Sequence, residues 1–159
     1  MTENNIQMLP AGVWRRFAAM VYDGFLLFAA LFVATLIPEL ILNADNLGST
    51  PANDSVVHQI NQPFHGLLYQ LYLLAVIVVF YGYFWRKGGQ TLGMQAWRLR
   101  LRDIDGGAPS WGQCLIRILV GSLSLLLGGL GYFWVWIDKE GRAWHDIASR
   151  TRLDRLPKD

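Results

Sequence analysis

The sequence FAAMVYDGFLLFAALFVATLI, residues 17–37, is predominantly apolar and contains one charged side chain, Asp23. A helix needs about 20 consecutive apolar residues to cross a bilayer, so this run is long enough to span one. A second apolar run, Gly66–Trp85, has a similar length and contains no charged residue. The two runs predict a pair of transmembrane helices joined by the segment between them.

The distribution of positive charge predicts how this hairpin is oriented. The chain has 14 Lys and Arg residues, and none of them lies between Phe17 and Trp85. The joining segment, Asn43–Phe64, contains acidic residues but no basic ones. Because loops rich in Lys and Arg stay in the cytoplasm, we expect an integral membrane protein with a cytoplasmic N-terminus and an external joining segment.

A third apolar run, Ile118–Ile137, is interrupted by the sequence GGLG at residues 128–131. If this run crossed the membrane fully, the basic C-terminal residues would lie outside, against the positive-inside rule. We therefore favour a re-entrant pair of half-helices that returns the C-terminus to the cytoplasm, with a full span as the alternative. Irregular backbone at membrane depth must be buried in protein or hydrated.

These features predict an all-α membrane protein with two full transmembrane helices forming a hairpin and a third hydrophobic segment that is broken by glycine. One membrane domain is expected over residues 13–156, between polar tails at 1–12 and 157–159. The helices are expected at about 13–42, 66–86 and 111–137.

Basic and apolar residues alternate over Trp97–Arg102, which indicates a short cytoplasmic loop resembling a β-ribbon. Basic clusters beside a membrane attract anionic lipids, so we expect lipid contacts and no nucleic-acid binding. The single cysteine, Cys114, excludes an internal disulfide and a metal site built from cysteines. No catalytic spacing is present, so neither an enzyme nor a cofactor is expected.

Asp23 lies about 9 Å inside the apolar run that begins at Phe17, at ~1.5 Å per residue. A carboxylate at the centre of a span costs ~2.5–3.5 kcal/mol, which the surrounding apolar side chains can offset, but the charge still needs a partner. Tyr81 and either Ser122 or Ser124 reach the same depth, so we expect a buried polar cluster of these residues. Holding helices together is the favoured role of Asp23, and ion or proton handling is the alternative.

Three polar residues of the C-terminal half are further candidates for the site. Arg117 opens the third segment, where it is expected to anchor that segment at the interface. Asp146 lies in the basic tail, and Arg16 or Arg117 could meet it at the membrane surface. The pair His145-Asp146 is typical of metal ligands, but the sequence offers no third or fourth ligand nearby, so no metal site is predicted.

Three motifs in order resemble the RDD family of small bacterial multi-pass membrane proteins: RFAAMVYD at 16–23, GQTLGM at 89–94 and HDIASRT at 145–151. The resemblance covers about residues 11–156. The family is named for one arginine and two aspartates, which implies Arg16, Asp23 and Asp146 here, with Arg15 as the alternative arginine. The polar residues 149–152 depart from the β-branched ending of the family and argue against a strand there.

The resemblance implies a location in the bacterial cytoplasmic (inner) membrane more than it implies an activity. Some members of the family are linked to cation/proton antiport, and others are membrane modules fused to different domains. We favour a non-enzymatic interaction or assembly module whose partners are anionic lipids, a second copy of the chain or another membrane protein. The alternative is a small cation/proton antiporter or transporter subunit that uses Asp23.

Overall fold

The computed structural model describes residues 9–42 and 66–157. The predicted external segment Asn43–Phe64 and most of the N-terminal tail lie outside these described residues. Within them, helices predominate and are joined by one small β-sheet.

Two long helices, α1 (Val13–Leu42) and α2 (Leu67–Lys87), form the predicted hairpin. Both are long and apolar enough to cross a membrane. Helix α1 continues through Pro38, which therefore does not end it. The hydroxyl of Tyr72 donates to the backbone carbonyl of Ala34 at 2.9 Å and joins the two helices. Large apolar side chains such as Phe25 face outward, as expected for a surface in contact with lipid.

The third hydrophobic segment is sharply bent. It consists of α4 (Trp111–Leu126), α5 (Leu130–Phe133) and a 3₁₀ turn (Trp134–Trp136), with an angle of 107° between the two parts. Gly128 and Gly129 adopt φ values of +71° and +82°, which glycine accepts without a steric penalty. The glycines at the break therefore permit a turn that other residues would resist.

A three-stranded antiparallel sheet lies beside the helices. Its strands are β1 (Leu9–Pro10), β2 (Leu99–Asp103) and β3 (Thr151–Arg155), in the order β1-β3-β2. The protein is therefore mostly helical but not all-α, because a small sheet forms from β2, within the predicted ribbon, and from a strand in the polar tail, where the sequence argued against one. Side chains alternate along β3, so Leu153 is buried while Arg152 points outward, and the polar composition is compatible with pairing.

Two short helices, α3 (Leu92–Ala96) and α6 (Trp144–Ser149), complete the layer that contains the sheet. The buried apolar core lies where this layer packs against the ends of α1, α2 and α4 nearest to it. Its residues are Ala11, Ala19, Trp85, Met94, Leu99, Leu101, Cys114 and Leu153. The strands connect to α1 at its N-terminus and to α2 beyond its C-terminus, so the layer lies at one end of the hairpin.

Candidate functional site

Asp146 forms two buried ion pairs that join three helices. Its Oδ2 accepts a hydrogen bond from Nη1 of Arg16 on α1 at 2.6 Å, and its Oδ1 accepts one from Nη1 of Arg117 on α4 at 2.5 Å. The side chains of Arg16, Arg117 and Asp146 are 2%, 5% and 0% exposed. Sequence reasoning offered the two arginines as alternative partners, and the structure brings both to the same carboxylate.

The remaining hydrogen bonds of this cluster extend it to the loops and the sheet. Arg16 also donates to the backbone carbonyls of Ala11 and Gly141, at 3.0 and 3.3 Å. Nη1 of Arg117 donates to Oγ1 of Thr151 on β3 at 2.8 Å. Asp146 accepts the backbone N–H of Ala143 at the start of α6, at 3.0 Å. We call Arg16, Arg117 and Asp146 the ionic cluster, and it fastens α1, α4, α6 and β3 together.

The ionic cluster fixes the charge of its two titratable neighbours. Burial tends to raise the pKa of Asp146, but the guanidinium groups of Arg117 and Arg16 outweigh it and hold that pKa below its usual range. Burial, followed by the nearby charge of Arg117, lowers the pKa of His145 to about 3. His145 is therefore neutral at neutral pH, and its ring packs against Tyr132 with centroids 4.5 Å apart.

His145 makes the stability of the protein depend on pH. Between pH 6.5 and about 3 the unfolded chain binds a proton that the folded chain does not, so stability falls as the pH is lowered. We expect a loss of about 2–3 kcal/mol between pH 7 and pH 4.5, at ~1.36 kcal/mol per pKa unit, measured by thermal unfolding in detergent. Asp146 adds little between pH 7 and pH 4.5, because its pKa is at or below 3.8 in both the folded and the unfolded state.

His145→Gln is the variant that tests this pH dependence, because glutamine keeps a polar side chain but does not titrate. We expect a clearly flatter pH profile between pH 7 and pH 4.5 than in the wild type. An identical slope in the variant would assign the effect to another group.

Asp23 fastens α1 to α3. Its side chain is buried, Oδ2 accepts from Oγ1 of Thr91 at 2.5 Å, and Oδ1 accepts from the backbone N–H of Gly93 at 2.9 Å. Thr91 is also the N-cap of α3 and accepts the backbone N–H of Met94 at 3.2 Å. The carboxylate of Asp23 therefore binds the capped start of a helix, where an anion is favoured by unpaired backbone N–H groups.

These partners differ from the expected ones. Tyr81 and Ser122 line a cavity together with Asp23, but no hydrogen bond joins either of them to Asp23 in the described part of the chain. Oγ of Ser124 is buried and has no hydrogen-bond partner among the residues that the structure describes. Helix α3 was not among the predicted helices, and this helix and its N-cap supply nearer donors. Threonine as an N-cap residue was the signal that could have revealed α3.

The cavity lies between α1, α2 and α4 and has a volume of about 280 Å³. Most of its wall is apolar, and we call it the central cavity. Its polar and aromatic lining consists of Arg16, Asp23, Tyr81, Trp85, Arg117, Ser122, Tyr132 and His145. Six of the eight predicted site residues thus line one space, whereas Asp146 and Ser124 do not, and the two aspartates belong to separate sets of hydrogen bonds.

Comparison with known proteins assigns the chain to a family. The sequence model of the RDD family matches residues 10–150, so the chain belongs to that family. It is also 25% identical over 146 residues to "Uncharacterized protein YxaI" of Bacillus subtilis (strain 168), covering 91% of this chain and 96% of that protein. No solved structure matches the chain. Family membership and the two long apolar helices together identify a membrane protein.

Proposed function

We propose that this RDD-family protein is a non-enzymatic interaction module of the bacterial cytoplasmic membrane. In this proposal the hairpin of α1 and α2 anchors a rigid layer, made of the sheet with α3 and α6, at the cytoplasmic surface. The layer then serves as a platform on which anionic lipids, a second copy or another membrane protein docks.

The observation that carries the proposal is that both aspartates of the RDD motif, Asp23 and Asp146, hold separate elements of the protein together. Asp146 is fully buried between two guanidinium groups, and both oxygens of Asp23 accept hydrogen bonds from α3 or its cap. Hydrogen bonds to a charged group contribute ~1.5–3 kcal/mol each, so opening these sets to exchange an ion is costly. The placement of both aspartates is explained if their shared role is to hold the platform to the helices.

The outward face of the platform is strongly basic. Arg98, Arg100 and Arg150 are exposed there, and Arg102 lies directly opposite Arg152 in the pairing of β2 with β3. Like charges directly opposite each other in a sheet are destabilising. Arg152 is compensated by Asp154, whose Oδ1 lies 3.0 Å from its Nε, whereas Arg102 forms no ion pair within the described residues. An acidic partner or an anionic membrane surface would supply Arg102 with a counter-charge, which favours docking as the function.

Orientation follows from the same charges. The N-terminus of α1 and the C-terminus of α2 meet the platform, and the positive-inside rule assigns that end to the cytoplasm. We infer that the third segment, bent by 107° between α4 and α5, is re-entrant rather than a broken span, so that both chain termini are cytoplasmic. A fluorescent protein fused after residue 159 should therefore fluoresce in cells.

Extraction of native membranes with a styrene–maleic acid copolymer tests the docking function. We expect the wild type to elute with a second copy or a membrane protein partner in constant stoichiometry, and the double variant Arg98→Glu/Arg150→Glu to lose it. Arg98→Lys/Arg150→Lys keeps both charges and is the matched control. A wild-type particle that contains one copy, no partner protein and no enrichment in anionic lipid would overturn the proposal.

Cation/proton exchange is the second candidate, because Asp23 lines the central cavity as well as binding α3. In proteoliposomes with an internal pH dye, an antiporter should give a sodium-dependent signal that Asp23→Asn abolishes. Equal signals from the wild type and the variant would remove this candidate.

A further inference from the structure

A second cleft, separate from the central cavity, lies between the end of α2, strand β2 and the turn after β2. It has a volume of about 270 Å³, and no acidic residue lines it. We call it the basic cleft. It is lined by Arg86, Lys87, Arg100 and Arg102, with Gly88, Gly89, Leu101, Gly106, Gly107 and Ala108.

The backbone explains why the four basic side chains converge. Arg100 and Arg102 are two residues apart on a strand and share its outward face, while Leu101 between them is buried. The backbone N–H of Leu101 donates to the carbonyl of Gly89 at 2.7 Å, which holds β2 against the turn after α2. Gly89 has a φ of +70°, and a Cβ there would lie 2.7 Å from the oxygen of Leu101. Only glycine permits this approach.

The charges of the basic cleft are uncompensated. None of the ion pairs formed within residues 9–42 and 66–157 includes Arg86, Lys87, Arg100 or Arg102. Lys87 donates to the hydroxyl of Tyr83 at 2.9 Å, and Arg86 stacks 5.1 Å above the ring of Trp111, but neither contact neutralises a charge. A cleft lined by one sign of charge concentrates counter-ions.

We propose that the basic cleft binds a phosphate group, carried either by an anionic phospholipid or by a soluble phosphate compound. The planar forks of two arginines match phosphate oxygens, and a lysine adds a point charge. The glycine-lined wall lets the group approach the backbone closely. The lipid source rests on the proposed function, because it requires the end of α2 to lie at the cytoplasmic interface.

Binding of two probes distinguishes the sources. Phosphatidylglycerol retention is measured by native mass spectrometry in detergent, against phosphatidylcholine as the zwitterionic reference. Pyrophosphate binding is measured by calorimetry with the protein in phosphatidylcholine nanodiscs. Arg100→Gln/Arg102→Gln removes two charges of the cleft, and Arg15→Gln/Lys139→Gln removes two charges that lie outside both the cleft and the platform. We expect the first variant to bind with about thirtyfold lower affinity, because it lacks two basic side chains at a membrane surface.

If only the cleft variant loses affinity for phosphatidylglycerol, the site binds a lipid headgroup. If only the cleft variant loses affinity for pyrophosphate, the site binds a soluble phosphate compound. Absence of saturable binding of either probe to the wild type overturns the site, as does an equal loss in both double variants. The copolymer extraction is independent of this measurement. If the wild type keeps its partner but binds no phosphate, the phosphate site is rejected and the proposed interaction module is retained.

Discussion

Asp146→Asn is expected to leave little folded protein. The substitution removes the only carboxylate shared by Arg16 and Arg117 within the described residues and leaves two buried guanidinium groups without a counter-ion. Breaking a buried ion pair by removing one partner costs ~3–5 kcal/mol. A domain has only ~5–15 kcal/mol of stability in total, so a loss of this size removes a large part of it. Monodisperse yield from membranes and the midpoint of unfolding in SDS titration measure the effect.

Asp138→Asn is the matched control for this prediction. Asp138 also forms an ion pair with an arginine, Arg142, with a distance of 3.1 Å from Nε to Oδ2, but the arginine is partly exposed. Ion pairs at the surface add little to stability because water screens them. We expect a yield close to that of the wild type. If the two variants behaved alike, the ionic cluster would not be a fastener, and the main support for the proposed platform would disappear.

The ionic cluster and Asp23 act on the same face of α1. Arg16 and Asp23 are seven residues apart, close to two full turns at ~3.6 residues per turn, so both point toward the same side of the helix. Arg16 contacts α6 through Asp146, and Asp23 contacts α3 through Thr91. The spacing of the family signature thus gives α1 two attachment points to one layer, about 10 Å apart along its axis.

The hairpin could be predicted from the sequence because, in a bilayer, the length of an apolar run and the absence of charge within it determine whether it spans. The run beginning at Phe17 needs only its own composition to specify a span, and the expected helix at 13–42 coincides with α1. The ionic cluster was partly predictable for a similar reason, since Asp146 lies in the basic tail and Arg16 and Arg117 lie at the ends of apolar runs. Which arginine would pair with it depended on the approach of α1 to α4, which composition does not encode.

The parts that sequence reasoning missed depend on non-local pairing. Strand β3 has a polar sequence and is stabilised by pairing with β2, about fifty residues earlier, through contacts such as Leu101 opposite Leu153. The partners of Asp23 were sought among residues at equal depth on the long helices. Helix α3 is too short to show a periodic pattern. One of the two donors to Asp23 is a backbone N–H of this helix, which any residue type provides.

Gly93→Ala is expected to separate α1 from α3 and to destabilise the protein by about 3 kcal/mol. Overpacking contributes ~1–3 kcal/mol of this loss, and the weakened hydrogen bonds to Asp23 contribute the rest. A Cβ at this position would lie 2.8 Å from Oδ1 of Asp23 and would also overlap the backbone oxygen of Ala19. Both of those atoms belong to α1, which cannot move away while Arg16 holds it to α6. The unfolding midpoint in SDS titration is the measurement.

The matched control is Gly112→Ala, because Gly112 is also the second residue of a helix that follows a capped start, and only Oγ of Ser110 comes as near as 4.0 Å to its added Cβ. Alanine there should stabilise α4 by ~0.5–1 kcal/mol. A double-mutant cycle of Gly93→Ala with Asp23→Ala should be strongly non-additive, because both changes break the same contact. Additive losses, or a Gly93→Ala variant as stable as Gly112→Ala, would show that the contact between Asp23 and α3 does not hold α1 in place.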